Sequence, residues 1–151
     1  MDDFLLARVI HVLGVVLWIG GVAFVTTVLL PGMKKVATPG ERVIMFERME
    51  GGFAWQARLT TLVTGASGFY MLYVLDAWER YGDPAYWWLH AMSAIWLIFT
   101  VMLFVLEPMV LHKLFERRAR ANPEGTLAMI QRLHWVLLAA SLITVAGAVA
   151  G

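Results

Sequence analysis

The chain has 151 residues, 60% hydrophobic and only 15% charged, with a formal net charge of +1; ordinary soluble domains carry about 25% charged residues. It has no cysteine, which excludes disulfides, thiol nucleophiles, cysteine-based zinc or iron–sulfur sites and covalent haem attachment through C-x-x-C-H. Such a composition describes an integral membrane protein of one domain, and the fold class expected is an all-α, polytopic four-helix bundle.

The first apolar run, Phe4 to Leu30, is closed by Pro31-Gly32. At 1.5 Å per helical residue it reaches ~40 Å, against a hydrocarbon core of ~30 Å, so it spans the membrane with tilt. The N-terminus opens on acidic residues, the run is too long for a signal-peptide core, and no clear cleavage site follows; a retained helix is expected. On a helical period His11, Gly14, Trp18, Gly21 and Val25 share one stripe, which should face other helices. A titratable ring in hydrocarbon is costly unless something satisfies it, which makes His11 a functional candidate; the plainer alternative is a histidine bonded to a neighbouring helix without a ligand.

A polar connection, Gly32 to about Gly52, mixes basic and acidic residues, and its ERVIMFERME stretch reads as a short interfacial helix. The second span, about 53–75, carries Arg58 near its entry, then Thr60, Thr61, Thr64, Gly65, Ser67 and Gly68, a pattern of close helix packing. An acidic, aromatic link with Trp78, Tyr81, Tyr86, Trp87 and Trp88 makes an interfacial belt. The third span, about 85–111, has His90 near its start, Ser93 and Trp96 beyond it, and Glu107-Pro108 near its end. A basic link with His112, Lys113, Arg117, Arg118 and Arg120 leads to the fourth span, about 126–150, with Arg132 and His134 near its start. His112 reads as an interfacial side chain.

Basic residues concentrate in the links after spans one and three. The positive-inside rule therefore predicts a protein of the cell inner (cytoplasmic) membrane with both termini extracytoplasmic. His11 and His90 would then lie in the outer leaflet, each ~10 Å from the midplane, while His134 would lie in the inner part of span four. A weak internal repeat pairs His11, Gly14, Trp18 and Pro31 with His90, Ser93, Trp96 and Pro108, and Arg58-Leu59 with Arg132-Leu133. Two hairpins so related would face the two histidines toward each other.

Two imidazoles at one depth, with apolar walls, suit a six-coordinate b-type haem. His11 and His90 are the expected axial ligands, and Gly14, Trp18 and Trp96 the expected surroundings of the macrocycle. Copper is the competing ligand, since imidazole and thioether both suit it. The 9 methionines are scattered, however, and Met92, two residues from His90, falls on a different helix face. A further polar group, Arg58, Glu107, Arg132 and His134, reads either as an ion pair near the headgroups or as a proton or quinone site. No catalytic triad, phosphate loop or nucleic-acid motif appears, and topology accounts for the basic links without a polyanion partner. Electron transfer with a quinone or another membrane redox partner is the expected role, in a monomer or homo-oligomer; copper handling without redox catalysis and a purely supporting subunit are the alternatives.

The stretches HVLGVVLWIGG, MEGGF and YWWLHAM, in this order and spacing, resemble the four-helix membrane superfamily of HemJ-type protoporphyrinogen oxidases and copper-resistance protein CopD domains. The resemblance implies a four-helix bundle that binds haem b in the oxidase branch. His11 would match the first-helix histidine, and Trp88-Leu89-His90 the third-helix Trp-Leu-His. Two departures stand against porphyrinogen oxidation itself. Met92 occupies the position of a lysine two residues past that histidine, and RLHWVLL replaces an Asn-Glu-x-Pro segment at the fourth helix.

Overall fold

A computed structural model describes residues 3–36, 38–111, 117–119 and 121–151; the His112 assignment falls outside these. The protein is a polytopic, all-α membrane protein. Three of its helical stretches, Asp3–Lys35, Pro84–Met109 and Pro123–Ala150, are long and apolar enough to cross a bilayer. Their outward residues are apolar too: Val12, Leu13, Val16 and Leu17 on the first, Val136 and Ile143 on the last. An exterior of that kind is stable only against lipid.

The first stretch runs as α1 (Asp3–Phe24), a wider π turn (Val25–Leu29) and α2 (Leu30–Val36). Pro31 was expected to end it. Instead the π turn carries the chain through the proline, because the Leu30 N–H reaches back five residues to the Val25 carbonyl. In that register the next carbonyl, Thr26, would take the N–H of residue 31, which proline lacks. The orphan is filled from the last helix, where Gln131 Nε2 donates to the Thr26 carbonyl at 2.8 Å.

The third stretch repeats this solution. It runs as α4 (Trp87–Val101) and a π segment (Met102–Leu111) containing Pro108. Five residues before Pro108 is Leu103, whose carbonyl has no N–H to receive, and Arg58 Nε donates to it at 3.1 Å. Each proline thus frees a carbonyl that a polar side chain from another helix satisfies.

Between them lies α3 (Pro39–Val74), 36 residues long. From Pro39 on, the region expected to be a connection with a short interfacial helix belongs to this single helix. Its start is fixed by Glu41, which accepts from the Thr38 N–H at 2.8 Å and the Thr38 hydroxyl at 2.6 Å. Gly51 and Gly52 do not break it, since their ~1 kcal/mol propensity costs are small against the contacts made on either side. It stops at Asp76, whose φ of 48° is left-handed, a conformation an aspartate tolerates better than most side chains. Two short 3₁₀ turns (Trp78–Gly82 and Pro84–Tyr86) lead into α4. The last helix, α5 (Pro123–Ala150), opens on Asn122, whose side chain accepts from the Gly125 N–H at 2.8 Å.

Small residues set the close approaches. A Cβ on Gly14 would strike the Thr64 side chain, and one on Gly65 would strike the Trp96 indole. The α1–α3 and α3–α4 contacts therefore depend on these glycines. The middle of the molecule is a buried cluster of Trp18, Ile19, Val22, Phe99, Leu137 and Leu138, with Trp18 edge-on to Phe99 at 4.9 Å. A second cluster, Val25, Leu30, Met33, Phe46, Leu127 and Ile130, closes the end of the molecule away from the termini.

Candidate functional site

Two cavities flank the central cluster. The larger, about 270 Å³, opens toward the end that carries both termini and is lined by His11, Trp18, Thr64, Trp88, Met92 and Trp96 among others. It is small for a ligand site, which commonly measures about 300–1,000 Å³. Phe69 and Leu75 at its edge are exposed, so a larger occupant extends past them toward lipid.

His11 is held there by α3. Its Nδ1 lies 2.9 Å from the Thr64 carbonyl and 3.3 Å from the Ser67 hydroxyl oxygen. A carbonyl only accepts, so Nδ1 carries a proton, and in the neutral ring Nε2 keeps its lone pair. The Ser67 hydroxyl is already committed to the Val63 carbonyl at 2.6 Å and reinforces that tautomer. Gly68 makes room for the ring against α3, since a Cβ there would press on it at 3.1 Å.

Other polar groups around this cavity are unspent. Trp18 Nε1 and Thr64 Oγ1 are buried without a hydrogen-bond partner among the described residues, an uncommon condition for a buried donor. Trp96, expected beside a macrocycle, does line the cavity, and its Nε1 donates to the Thr61 carbonyl at 2.9 Å. That bond makes it a brace between α3 and α4 as well as a wall. Gly14 serves helix packing against Thr64 and is not among the residues lining the cavity.

His90 does not join His11. It is exposed and lies edge-on to Tyr81 at 5.2 Å, and it is not among the residues lining the cavity. The expected slot between two imidazoles is not made, and the reason is register. Counting back 20 residues from Pro31 gives His11, and 20 from Pro108 gives Trp88. The same count pairs Val15 with Met92, Trp18 with Ile95 and Ile19 with Trp96, all of which line the cavity. His90 instead matches Leu13, which is 57% exposed. Pairing histidine with histidine had slipped the repeat by two residues, about 200° on a helix, and what faces inward in place of His90 is Met92.

The second cavity, about 100 Å³, lies on the other side of the Trp18–Phe99 contact and is lined by Phe46, Met49, Phe53, Glu107, His134 and Leu137 among others. Residues of both π segments, including Val25, Leu29, Met102 and Leu103, also face it. The predicted ion pair is present, with Arg58 Nη2 3.0 Å from Glu107 Oε1. His134 Nδ1 lies 2.9 Å from the Ile130 carbonyl on its own helix. Arg132 is exposed and lines neither cavity, so the expected polar group reduces to Arg58, Glu107 and His134. Gln131, its neighbour, was not singled out in the sequence, although its distance from Pro31 gave no signal by which to find it.

Among the described residues no group of three or more histidine, aspartate, glutamate or cysteine side chains is placed to hold a metal ion. Compared with protein-family models, curated proteins and solved structures, the chain matches none.

Proposed function

We propose that the protein is a four-helix bundle of the cytoplasmic membrane, with α3 crossing alongside the three apolar stretches and both termini extracytoplasmic, and that it binds a b-type haem through His11. The observation that carries this reading is the His11 tautomer. Metal-ligating imidazoles characteristically donate one ring N–H to a carbonyl or carboxylate, which fixes the ring and raises the basicity of the other nitrogen, and the Thr64 carbonyl does this at 2.9 Å.

The fit of the residues to the group supports one protein imidazole and does not support two. The walls from Val15, Leu89 and Ile95 are apolar, the indoles of Trp18, Trp88 and Trp96 offer flat faces, and the edge at Phe69 and Leu75 admits the rest of the ring. Arg80, half-buried at the same cavity, supplies a cation to which carboxylate substituents would pair. When bound, the haem supplies one-electron chemistry for a membrane redox partner. Thr64 would orient His11, and the aromatic walls would exclude water from the group it holds. A second reading, copper(I) held by an imidazole and a thioether, is favoured by one observation: Met92 lines the same cavity as His11.

The full-length chain, purified in detergent from haem-supplied cells, is expected to show a Soret band and a sharp α band on reduction. His11→Ala is expected to lose both, and His90→Ala to keep them. Colourless wild-type protein that takes up no added haem overturns the reading.

A further inference from the structure

We infer that Met92 is the second protein donor of the His11 cavity, so that a metal held there is bound by an imidazole from α1 and a thioether from α4. The inference rests on the reading of His11 as a metal ligand and deepens it.

The argument starts from helix geometry. Residues i and i+2 point about 200° apart, so the rotation of α4 that turns His90 outward turns Met92 inward. His90 is exposed and Met92 half-buried at the cavity. Rotation is fixed independently by the two neighbours that brace the helix, the Trp96 N–H on the Thr61 carbonyl at 2.9 Å and the Ser93 hydroxyl 2.6 Å from that of Tyr81. Reaching His90 into the cavity would require breaking both.

The donor inventory then narrows the choice. The other side chains lining the cavity with a lone pair to give are the hydroxyls of Thr64, Tyr81, Ser93, Ser141 and Thr144, which are poor ligands for a soft or haem-bound metal. The thioether of Met92 is the one soft donor besides Met71, which sits on α3 with His11's own support. A thioether opposite an imidazole raises the reduction potential of a haem relative to two nitrogen ligands. With that position filled, the wild type would resist a small exogenous ligand that a variant lacking the thioether would take.

The test uses the purified protein with four variants. Met92→Leu conserves volume and is expected to fold. It should retain haem, lose the sulfur-to-iron charge-transfer band of the oxidised form, and bind carbon monoxide that the wild type resists. Met92→His should restore six-coordination at a lower midpoint potential, and it reports even if the leucine variant fails to fold. His90→Ala should match the wild type throughout. If His11→Ala loses haem while Met92→Leu and Met92→His keep the wild-type spectrum and potential, the inference fails and the His11 reading stands. If no haem binds but copper(I) does, with at least tenfold weaker binding in both His11→Ala and Met92→Leu, the Met92 assignment is upheld and the haem reading is overturned. Binding of neither overturns both.

Discussion

The two cavities hold one imidazole each, yet the imidazoles are held by different means. His11 bonds to a carbonyl on another helix, Thr64 of α3, whereas His134 bonds four residues back along its own helix, to Ile130. The first ring is therefore aimed by tertiary packing, and the second would be aimed the same way in an isolated helix. Around His134 the strong polar groups are paired, Glu107 with Arg58 and the proline-freed Leu103 carbonyl with the same arginine. Around His11 a buried indole N–H and a buried hydroxyl have no partner among the described residues, whereas near His134 the unpartnered atom is the Gln131 Oε1. Polar groups that satisfy one another are accounted for by stability; the open groups beside the larger cavity are what the proposed ligand reading draws on.

That contrast can be broken most directly by removing the two rings in turn. His11→Ala should abolish cofactor retention, whereas His134→Ala should leave the visible spectrum of the purified protein unchanged; equal losses would erase the distinction. Next in size is Arg58→Leu, which strands both Glu107 and the Leu103 carbonyl. With both side chains partly exposed, the expected loss is on the order of 2 kcal/mol, read as a lowered detergent melting temperature. The Arg58→Leu, Glu107→Leu double variant should recover part of it, and the absorption spectrum of both should be that of the wild type.

At the His11 end, Gly14→Ala places a methyl against the Thr64 side chain and is expected to destabilise by about 1–3 kcal/mol while also weakening cofactor retention, because Thr64 aims the ring. Gly20→Ala, which meets nothing within 4 Å, should cost no stability. The smallest effect sharpens the comparison from the other end of the molecule. Hydrogen bonds from the Thr38 hydroxyl and N–H hold the Glu41 carboxyl below its ordinary pKa. Its contribution is therefore present above the unfolded-state pKa and lost as pH falls through the folded-state value. The difference in melting temperature between wild type and Glu41→Gln should shrink on acidification through that window, with the spectrum of the His11 cavity unaffected.

Hydropathy and period made the three apolar stretches legible, because a bilayer imposes length and composition directly on sequence. That Glu107 needs a cation was legible for a related reason, since an unpaired carboxylate would be too costly at that depth; the choice of Arg58 over Arg132 came from the fold. What eluded a linear reading were features decided by rotation and by backbone chemistry. Pro31 looked like a stop, and nothing local reveals that a π turn and Gln131 accommodate it. Gly51-Gly52 looked like a link, yet α3 runs through them. His90 looked like the partner of His11 because residue identity was matched, while the prolines set the register. Met92 was visible but was set aside by its distance from His90's face, which is the same fact that places it in the cavity.

The proline-freed carbonyl at Thr26 bears on how the chain is made. Its donor, Gln131, follows 105 positions later, so the acceptor freed in the α1–α2 stretch waits for α5 to be made and packed before this bond can form. A chain lacking α5 would carry this bare oxygen in an apolar medium, at the cost that an unsatisfied backbone group pays there.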